Sequence, residues 1–168
     1  MEIKKIYFDM DGVLADFSRG VKDLCGIDSG DQDKNSKEKD DQMWEAIKNT
    51  DHFYDRLEFM EGAEEMFNRV YDKYGDKCEI LTATPKPKRG IVQAADDKRS
   101  WVKRMLNEDI VVNIVVKEEK KNFVTGKDCI LIDDRGPNID DWVAEGGTGI
   151  HHKSSEDTIN LLEEMGIL

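Results

Sequence analysis

Short apolar segments that stop at polar residues recur along this chain and predict buried β-strands. The first covers residues 6–8 and stops at Asp9. Comparable segments lie at 78–81, 111–116, 129–132 and 148–150, and the one at 111–116 is especially rich in β-branched residues. The pattern therefore predicts five strands.

Between these strands, apolar residues recur at three- and four-residue spacing and predict helices. The clearest helix covers 61–74 and is followed by Gly75, a residue that commonly ends helices. Further helices are predicted at 18–26, 41–50, 94–107 and 137–145, and a last one is capped by Ser154 or Ser155. Because strands that alternate with helices pair in parallel through crossovers, we predict a three-layer α/β sandwich around a parallel sheet.

The stretch between the first strand and the helix at 61–74 is long and mostly helical, which predicts an insertion. Within it, residues 28–41 are almost entirely polar and favour a solvated loop. We therefore divide the chain into a core, formed by 1–17 and 58–168, and a small helical insertion at 18–57.

Composition and charge narrow the function classes. The 168 residues suffice for one domain, and 38% hydrophobic with 37% charged residues indicate a globular protein with a heavily solvated surface. The formal net charge of −12 argues against a surface that wraps a polyanion, so we expect no stable nucleic-acid complex. A small anionic substrate remains compatible if positive charge is concentrated in one pocket.

The spacing of the cysteines, histidines and apolar residues argues against disulfide-rich, zinc-binding, secreted and membrane proteins. The three cysteines lie far apart in the sequence and form no C-x-x-C pair, so neither a disulfide framework nor a zinc site is indicated. His151 and His152 would point to opposite sides of an extended chain, which disfavours a shared metal. No apolar run approaches the length of a signal or membrane-spanning segment, so we expect a cytoplasmic protein without a membrane partner.

The end of the first strand carries the first candidate site. Asp9 and Asp11 share a side of an extended backbone, and Gly12 lets the chain turn close to a ligand. Two carboxylates about 4 Å apart repel by roughly 4 kcal/mol at an effective dielectric of about 20, which favours a cation between them. Mg²⁺ is the simplest such cation. A calcium loop fits less well, because Gly12 is fourth rather than sixth and the acidic run at 31–35 is followed by Ser36 instead of glycine.

Two more strand ends carry polar residues that suit the same site. The hydroxyl of Thr82 and the backbone amide after it, that of Ala83, can hold a phosphate oxygen. Asp133 and Asp134 follow the fourth strand and can complete a site for a hard cation. A lysine-rich stretch at 117–121 can neutralise a phosphate. Since the carboxyl ends of parallel strands meet at one edge of a sheet, these residues predict a metal-assisted phosphate site there.

These motifs also resemble a known family. The segment Phe8-Asp9-Met10-Asp11-Gly12-Val13-Leu14 resembles the first motif of the haloacid dehalogenase (HAD) superfamily of phosphoryl-transfer enzymes. Extended by Ala15-Asp16-Phe17, it is similar to the 5′(3′)-deoxyribonucleotidases. Thr82, the lysine stretch and the pair Asp133-Asp134 resemble motifs two, three and four in chain order. Together with 146–150, the resemblance spans nearly the whole chain and implies a Rossmann-like HAD fold in which 18–57 is the cap.

The resemblance implies a Mg²⁺-dependent phosphomonoesterase for (deoxy)nucleoside monophosphates. Asp9 would attack phosphorus to give an aspartyl-phosphate, and Asp11 would act as acid and then as base. Mg²⁺ would be held by Asp9, the carbonyl of Asp11 and Asp134, with Asp133 in support; which of Asp133 and Asp134 binds directly stays open. An aspartate at position 11 is typical of the superfamily's phosphatases and phosphomutases.

The resemblance also names residues for the phosphate. Ala83 stands where these nucleotidases often carry serine, so one hydroxyl is missing unless Thr84 replaces it. The motif-three lysine is Lys120 or Lys121, and we prefer Lys121. Lys98 resembles a lysine that reaches the substrate phosphate in relatives.

Two aromatic residues are candidates for the remainder of the substrate. Phe17 corresponds to a residue that faces the site in relatives. For Trp44 both a place in the cap core and a role in stacking on a base are open, and a core position is the more common outcome for such a residue.

Two other functions stay open. One is a HAD phosphatase for another small phosphate ester or for a polynucleotide end. The other is a HAD-fold binding or regulatory module without activity, against which the intact Asp9, Asp11, Thr82 and Asp134 argue. The sequence also leaves open the base and sugar preference, the 5′ or 3′ position, and the oligomeric state, for which a homodimer is one alternative.

Overall fold

The computed structural model of the chain describes residues 1–29 and 36–168. Its centre is a parallel sheet of five strands in the order β3-β2-β1-β4-β5. The strands are β1 (Lys5–Phe8), β2 (Cys78–Ala83), β3 (Val112–Val115), β4 (Cys129–Asp133) and β5 (Thr148–His151). The strand order reverses at β1, which lies between β2 and β4. Asp9, Thr82 and Asp133 therefore lie side by side at the carboxyl edge of the sheet.

In the described part of the chain, six α-helices accompany the sheet: α1 (Phe17–Cys25), α2 (Ser36–Lys48), α3 (Ala63–Tyr74), α4 (Ala94–Met105), α5 (Gly136–Ala144) and α6 (Ser155–Glu164). One face of the sheet packs against α3, α4 and α6, as in the contact of Phe8 with Phe67, whose ring centroids are 5.0 Å apart. The opposite face packs against α5, where Tyr7 meets Trp142 at 5.5 Å. Because successive strand residues point to opposite faces, both faces are apolar, and the predicted three-layer α/β sandwich is confirmed.

The predicted elements are all present, with one clear shift of a boundary. Helix α2 begins at Ser36 rather than near 41, so the last part of the polar stretch 28–41 is helical. This turn was missed because its side chains, such as Lys37 and Glu38, are exposed and show no apolar period, although both residues favour helices. The acidic run at 31–35, which we compared with a calcium loop, lies outside the described residues.

The helical segment between β1 and α3 is joined to the core by paired chain segments. Where the chain enters and leaves it, the amide of Asp16 donates to the carbonyl of Glu58 and that of Met60 donates to Leu14, each over 2.8 Å. Asp16 caps α1, and Gly20 within α1 lies so close to Leu57 that a Cβ there would be 2.4 Å from its Cδ2. The start of the helical segment is thus packed tightly against the residues at its end.

Across residues 1–29 and 36–168, none of the helices combines the length and the apolar character that crossing a bilayer requires.

Candidate active site

Three carboxylates converge at the carboxyl ends of β1 and β4. Asp9, Asp133 and Asp134 each offer an oxygen, and these oxygens lie within 4.8 Å of one another. Asp133 is fully buried: its Oδ1 accepts from the amide of Arg135 at 2.9 Å, and its Oδ2 accepts from Asn138 Nδ2 at 3.0 Å. Asp134 is more exposed. Asp133 is therefore held as a support, while Asp134 is the freer of the two to meet a ligand.

Gly12 lets the loop after β1 pass directly over Asp134. Its φ of +84° is a conformation that L side chains rarely adopt. A Cβ at this position would lie 2.2 Å from Asp134 Oδ2. Glycine is thus required twice here, once for the turn and once for the close approach to the carboxylate.

Lys120 balances part of this negative charge. It is buried, and its Nζ donates to Asp9 Oδ1 at 3.0 Å and to Asp133 Oδ2 at 2.8 Å. Burial alone would lower the pKa of Lys120, but the charges and hydrogen bonds of the two aspartates raise it. Lys120 therefore stays protonated between them.

The preference for Lys121 as the motif-three lysine is corrected by this placement, since Lys121 is exposed. The lysine stretch forms a 3₁₀ helix over Lys117–Phe123, an element that the sequence did not predict. Successive side chains of such a helix point about 120° apart, so only one of two adjacent lysines can face the carboxylates.

The carboxylates outnumber the lysine, and this affects their protonation. Burial raises the pKa of Asp9, and the charges of Asp133, Asp134 and Asp11 raise it further against the opposing charge of Lys120. Partial burial and the charge of Asp133 likewise raise the pKa of Asp134. Clustered oxygen donors with excess negative charge are what a hard divalent cation binds, so this donor set fits Mg²⁺.

A second lysine, Lys98 of α4, ties Asp11 to the end of β2. Its buried Nζ donates to Thr82 Oγ1 and the Ala83 carbonyl, both at 2.8 Å, and to Asp11 Oδ2 at 3.1 Å. An ammonium has three donors, so all three are used. Thr82 accepts from Lys98 and keeps its own hydroxyl hydrogen to donate. Within the described residues, Asp11 Oδ1 is buried and accepts no hydrogen bond, which leaves an acceptor ready for a substrate group.

Thr84 does not replace the serine that is missing at position 83. Its side chain is exposed, and its hydroxyl donates to the carbonyl of Pro85 at 2.8 Å. Its hydroxyl is used within its own loop.

Aromatic side chains from the helical segment form a wall beside Lys98. Phe17 stacks on Tyr54 with ring centroids 6.0 Å apart and 20° between the planes, and it contacts Trp44 at 6.1 Å. The Tyr54 ring centroid lies 4.9 Å from Lys98 Nζ. Phe17 and Trp44 are half-buried, whereas Tyr54 is almost fully buried. Burial, together with the charge of Asp11, raises the pKa of Tyr54.

The structure thus brings together most of the residues that the sequence singled out: Asp9, Asp11, Thr82, Ala83, Lys98, Lys120, Asp133 and Asp134, with Phe17 and Trp44 nearby and Lys121 outside. Tyr54 was missed: it follows Phe53 in the sequence, and nothing there indicated its contact with Lys98. Arg89 was also missed, because its partners Asp40 and Asp41 lie far from it in the sequence.

Known structures share this fold. A HAD-superfamily hydrolase from Ehrlichia chaffeensis superposes with a TM-score of 0.61 at 16% identity, over 98% of each chain. A hydrolase from Streptococcus pneumoniae TIGR4 gives 0.52 at 14% identity, over 99% of this chain and 100% of that one. At these identities the likeness concerns the fold alone. A search of curated proteins finds no match.

The sequence itself carries the family assignment. Residues 2–159 match the profile described as "5' nucleotidase, deoxy (Pyrimidine), cytosolic type C protein", which covers both the sheet with its carboxylates and the helical segment. The chain therefore belongs to the 5′ nucleotidase, deoxy (Pyrimidine), cytosolic type C family, among the HAD-type hydrolases that act on phosphate monoesters.

Proposed function

We propose that this protein hydrolyses (deoxy)nucleoside monophosphates in the cytoplasm, with Mg²⁺ as cofactor and Asp9 as nucleophile. The observation that carries the proposal is that each aspartate has its own lysine: Lys120 bonds Asp9, and Lys98 bonds Asp11. Two aspartates with separate partners can take separate roles, one as nucleophile and one as acid and base.

In the first step, a carboxylate oxygen of Asp9 attacks phosphorus, and the bond from phosphorus to the ester oxygen breaks. Asp11 gives a proton to the departing alkoxide, so the nucleoside leaves as an alcohol. Lys120 supports this step because it keeps the Asp9 carboxylate oriented. The hydroxyl of Thr82 lies beside Asp11 and is placed to donate to a phosphate oxygen, while Lys98 holds Asp11 and Thr82 and adds positive charge next to them.

In the second step, water attacks the phosphorus of the aspartyl-phosphate, and Asp11 takes a proton from that water. The bond between phosphorus and Asp9 breaks, which releases inorganic phosphate and restores both aspartates. Mg²⁺, held by Asp9, Asp134 and the carbonyl of Asp11 with Asp133 in support, would screen the charge between the carboxylate and the phosphate.

We further propose that residues 18–57 act as a cap that selects the substrate. Phe17 at its base and Trp44 within it offer half-buried aromatic faces, and such faces stack on bases at roughly 1–3 kcal/mol each. A site for sugar phosphates would instead need hydrogen-bonding groups for several hydroxyls. The family profile names nucleotidases, which supports the same choice.

A phosphate-release screen with purified protein and Mg²⁺ tests the proposal. Its substrates are nucleoside and deoxynucleoside monophosphates, sugar phosphates, 5′-phosphorylated oligonucleotides and p-nitrophenyl phosphate. We expect the highest kcat/KM for a nucleoside monophosphate and loss of activity in EDTA. A sugar phosphate or an oligonucleotide end ranked above every nucleotide would refute the substrate assignment, and no release from any compound would favour a binding module.

The nucleophile is tested by Asp9→Asn. We expect turnover to fall to background while circular dichroism and the melting temperature show a folded protein, because an amide cannot attack phosphorus in place of a carboxylate. Fluoroberyllate, which mimics a phosphoryl group, should inhibit the wild type. Near-normal turnover by folded Asp9→Asn would exclude this mechanism.

A further inference from the structure

Arg89 connects the helical segment to the loop that leaves the active-site strand β2. Its guanidinium donates from Nη1 to Asp41 Oδ1 at 2.6 Å and from Nη2 to Asp40 Oδ2 at 2.9 Å. The side chain is only 17% exposed, and its guanidinium carbon lies 5.9 Å from the centroid of the Trp44 ring. One arginine therefore engages two carboxylates and an aromatic ring of the same helix, α2.

The loop that joins Arg89 to strand β2 is short, and its backbone is restricted. Arg89 ends a 3₁₀ turn over Pro87–Arg89, a few residues after Ala83, whose carbonyl accepts from Lys98. Pro85 and Pro87 restrict the backbone of this loop, and Gly90 closes the turn with a φ of +69°. The backbone of Arg89 is thus joined by a short, restricted loop to the strand that carries Thr82.

On the other side, the contacts of Trp44 lead back to the site. Trp44 meets Phe17, Phe17 stacks on Tyr54, and the Tyr54 ring lies over Lys98. Lys98 in turn bonds the carbonyl of Ala83, so the contacts form a closed ring through Arg89 and its loop. A shift of α2 would therefore move the aromatic wall relative to the phosphate site.

Apolar packing contributes little to holding the first part of α2 in place. Lys37, Glu38, Asp40, Asp41 and Gln42 are exposed, and the buried apolar residues Met43 and Ile47 lie further along the helix. Asp40 and Asp41 would also repel an anionic substrate approaching Trp44. The single positive charge of Arg89 offsets part of this repulsion, and its hydrogen bond is the main cause that lowers the pKa of Asp41.

We propose that Arg89 is a positioning residue: by clamping Asp40 and Asp41 it fixes Trp44 and the aromatic wall in the place where the base of the substrate binds. The inference rests on the proposed function, because the wall matters only to a substrate that has a base. Arg89 acts through α2 and Trp44, not on the phosphate. Its loss therefore changes recognition more than chemistry.

Steady-state kinetics of Arg89→Ala test this role. With a nucleoside monophosphate we expect KM to rise about tenfold, equivalent to about 1.4 kcal/mol, with kcat reduced by less than about threefold. With p-nitrophenyl phosphate, KM and kcat should change less than about twofold. Arg89→Lys should restore only part of the KM, because lysine cannot fork across two carboxylates. Arg69→Ala, which removes a 3.0 Å ion pair to Glu163 on the core, is the matched control and should leave all constants unchanged.

Acrylamide quenching of tryptophan fluorescence gives a second measurement that needs no substrate. The chain has three tryptophans; Trp101 and Trp142 are fully buried, so the quencher reports on half-buried Trp44. Arg89→Ala should increase quenching, Arg69→Ala should not, and the increase should vanish in the background Trp44→Phe.

The two measurements separate the possible failures. Equal KM increases for the nucleotide and p-nitrophenyl phosphate would show that Arg89 acts on the phosphate and would overturn the positioning role. Unchanged quenching in Arg89→Ala would overturn the clamp whatever the substrate is. A wild type without any preference for nucleotides refutes the proposed function instead, and increased quenching would then still support the clamp.

Discussion

The carboxyl edge of the sheet and the helical segment hold their polar groups in different ways. At the sheet edge, Lys98 and Lys120 are almost fully buried, and each bonds oxygens on two or more residues at 2.8–3.1 Å. In the helical segment, Asp40 and Asp41 are exposed, and the aromatic contacts that lead to the site span 6.0–6.1 Å between ring centroids. Buried charges have few alternative arrangements, whereas exposed charges and stacked rings can shift at small cost. We therefore expect changes at the sheet edge to affect turnover and folding, and changes in the helical segment to affect substrate choice.

Among the changes that leave the proposed nucleophile in place, the largest effect should come from Lys120→Met. It leaves Asp9 and Asp133 buried without their shared cation, and breaking a buried ion pair typically costs about 3–5 kcal/mol of folding free energy. We expect kcat to fall at least about 100-fold and the melting temperature to drop. Lys121→Met, the adjacent and exposed control, should change neither. Equal effects of the two variants would refute the assignment of Lys120.

A smaller effect at the same edge is expected for Asp134→Asn. The change weakens one oxygen donor of the proposed Mg²⁺ site but leaves the hydrogen bonds of Asp133 in place. The Mg²⁺ concentration for half-maximal activity should rise about 10–100-fold, with partial recovery at high Mg²⁺. Titration of activity with MgCl₂ measures this shift, and an unchanged midpoint would place the cation elsewhere.

In the helical segment, Phe17→Ala should reduce kcat/KM for nucleoside monophosphates roughly tenfold, because about 1.4 kcal/mol of lost stacking corresponds to that factor. Activity on p-nitrophenyl phosphate should be spared. The ratio of the two specificity constants is the quantity to follow. A parallel loss on both substrates would mean that Phe17 supports the phosphate site and would weaken the contrast between the two regions.

The last predictions concern stability instead of activity, through two histidines whose pKa values shift in opposite directions. Burial lowers the pKa of His152 in the core to about 4, while a hydrogen bond to Asp97 raises that of exposed His52 in the helical segment. Between about 6.5 and about 4 the unfolded state binds a proton at His152 that the folded state does not. The free energy of unfolding should therefore decrease with falling pH in this window, by at most about 1.4 kcal/mol per pH unit.

For His52 the sign is reversed. Its stabilising contribution is present below the unfolded pKa and is lost as the pH rises through the higher folded pKa. Histidine resonances followed by NMR, assigned with His52→Gln and His152→Gln, should titrate on opposite sides of about 6.5. In urea unfolding at several pH values, the free energy of unfolding of His152→Gln should decrease less with falling pH than that of the wild type. A His152 resonance that titrates normally would contradict its burial as a neutral ring.

Features encoded by short local patterns could be predicted from the sequence. The strands follow from apolar runs, and the parallel order brings Asp9, Thr82 and Asp133 to one edge, so the core of the site could be anticipated. Lys98 could be placed there by resemblance to relatives. Chemistry at strand ends is thus accessible to sequence reasoning, because backbone direction and residue type together determine it.

Two kinds of feature could not be predicted: the direction in which a side chain leaves a short helix, and contacts between residues far apart in the sequence. The choice between Lys120 and Lys121 depends on the phase of a 3₁₀ helix, which two adjacent lysines do not reveal. The bond of Arg89 to Asp41 joins residues 48 positions apart and leaves no local pattern. The first turn of α2 was missed because exposed helices need no apolar period.

The distance in sequence between Asp9 and its partner has a consequence for biosynthesis. Lys120 lies 111 positions after Asp9, and Asp133 follows later still, yet the three side chains form one bonded cluster. Such non-local contacts are made late in folding, after most loop closure has occurred. A chain emerging from the ribosome therefore exposes its nucleophile long before the residues that orient it are synthesised. Recovery of turnover during refolding should accordingly report the docking of β4 against β1, rather than the formation of the first helices.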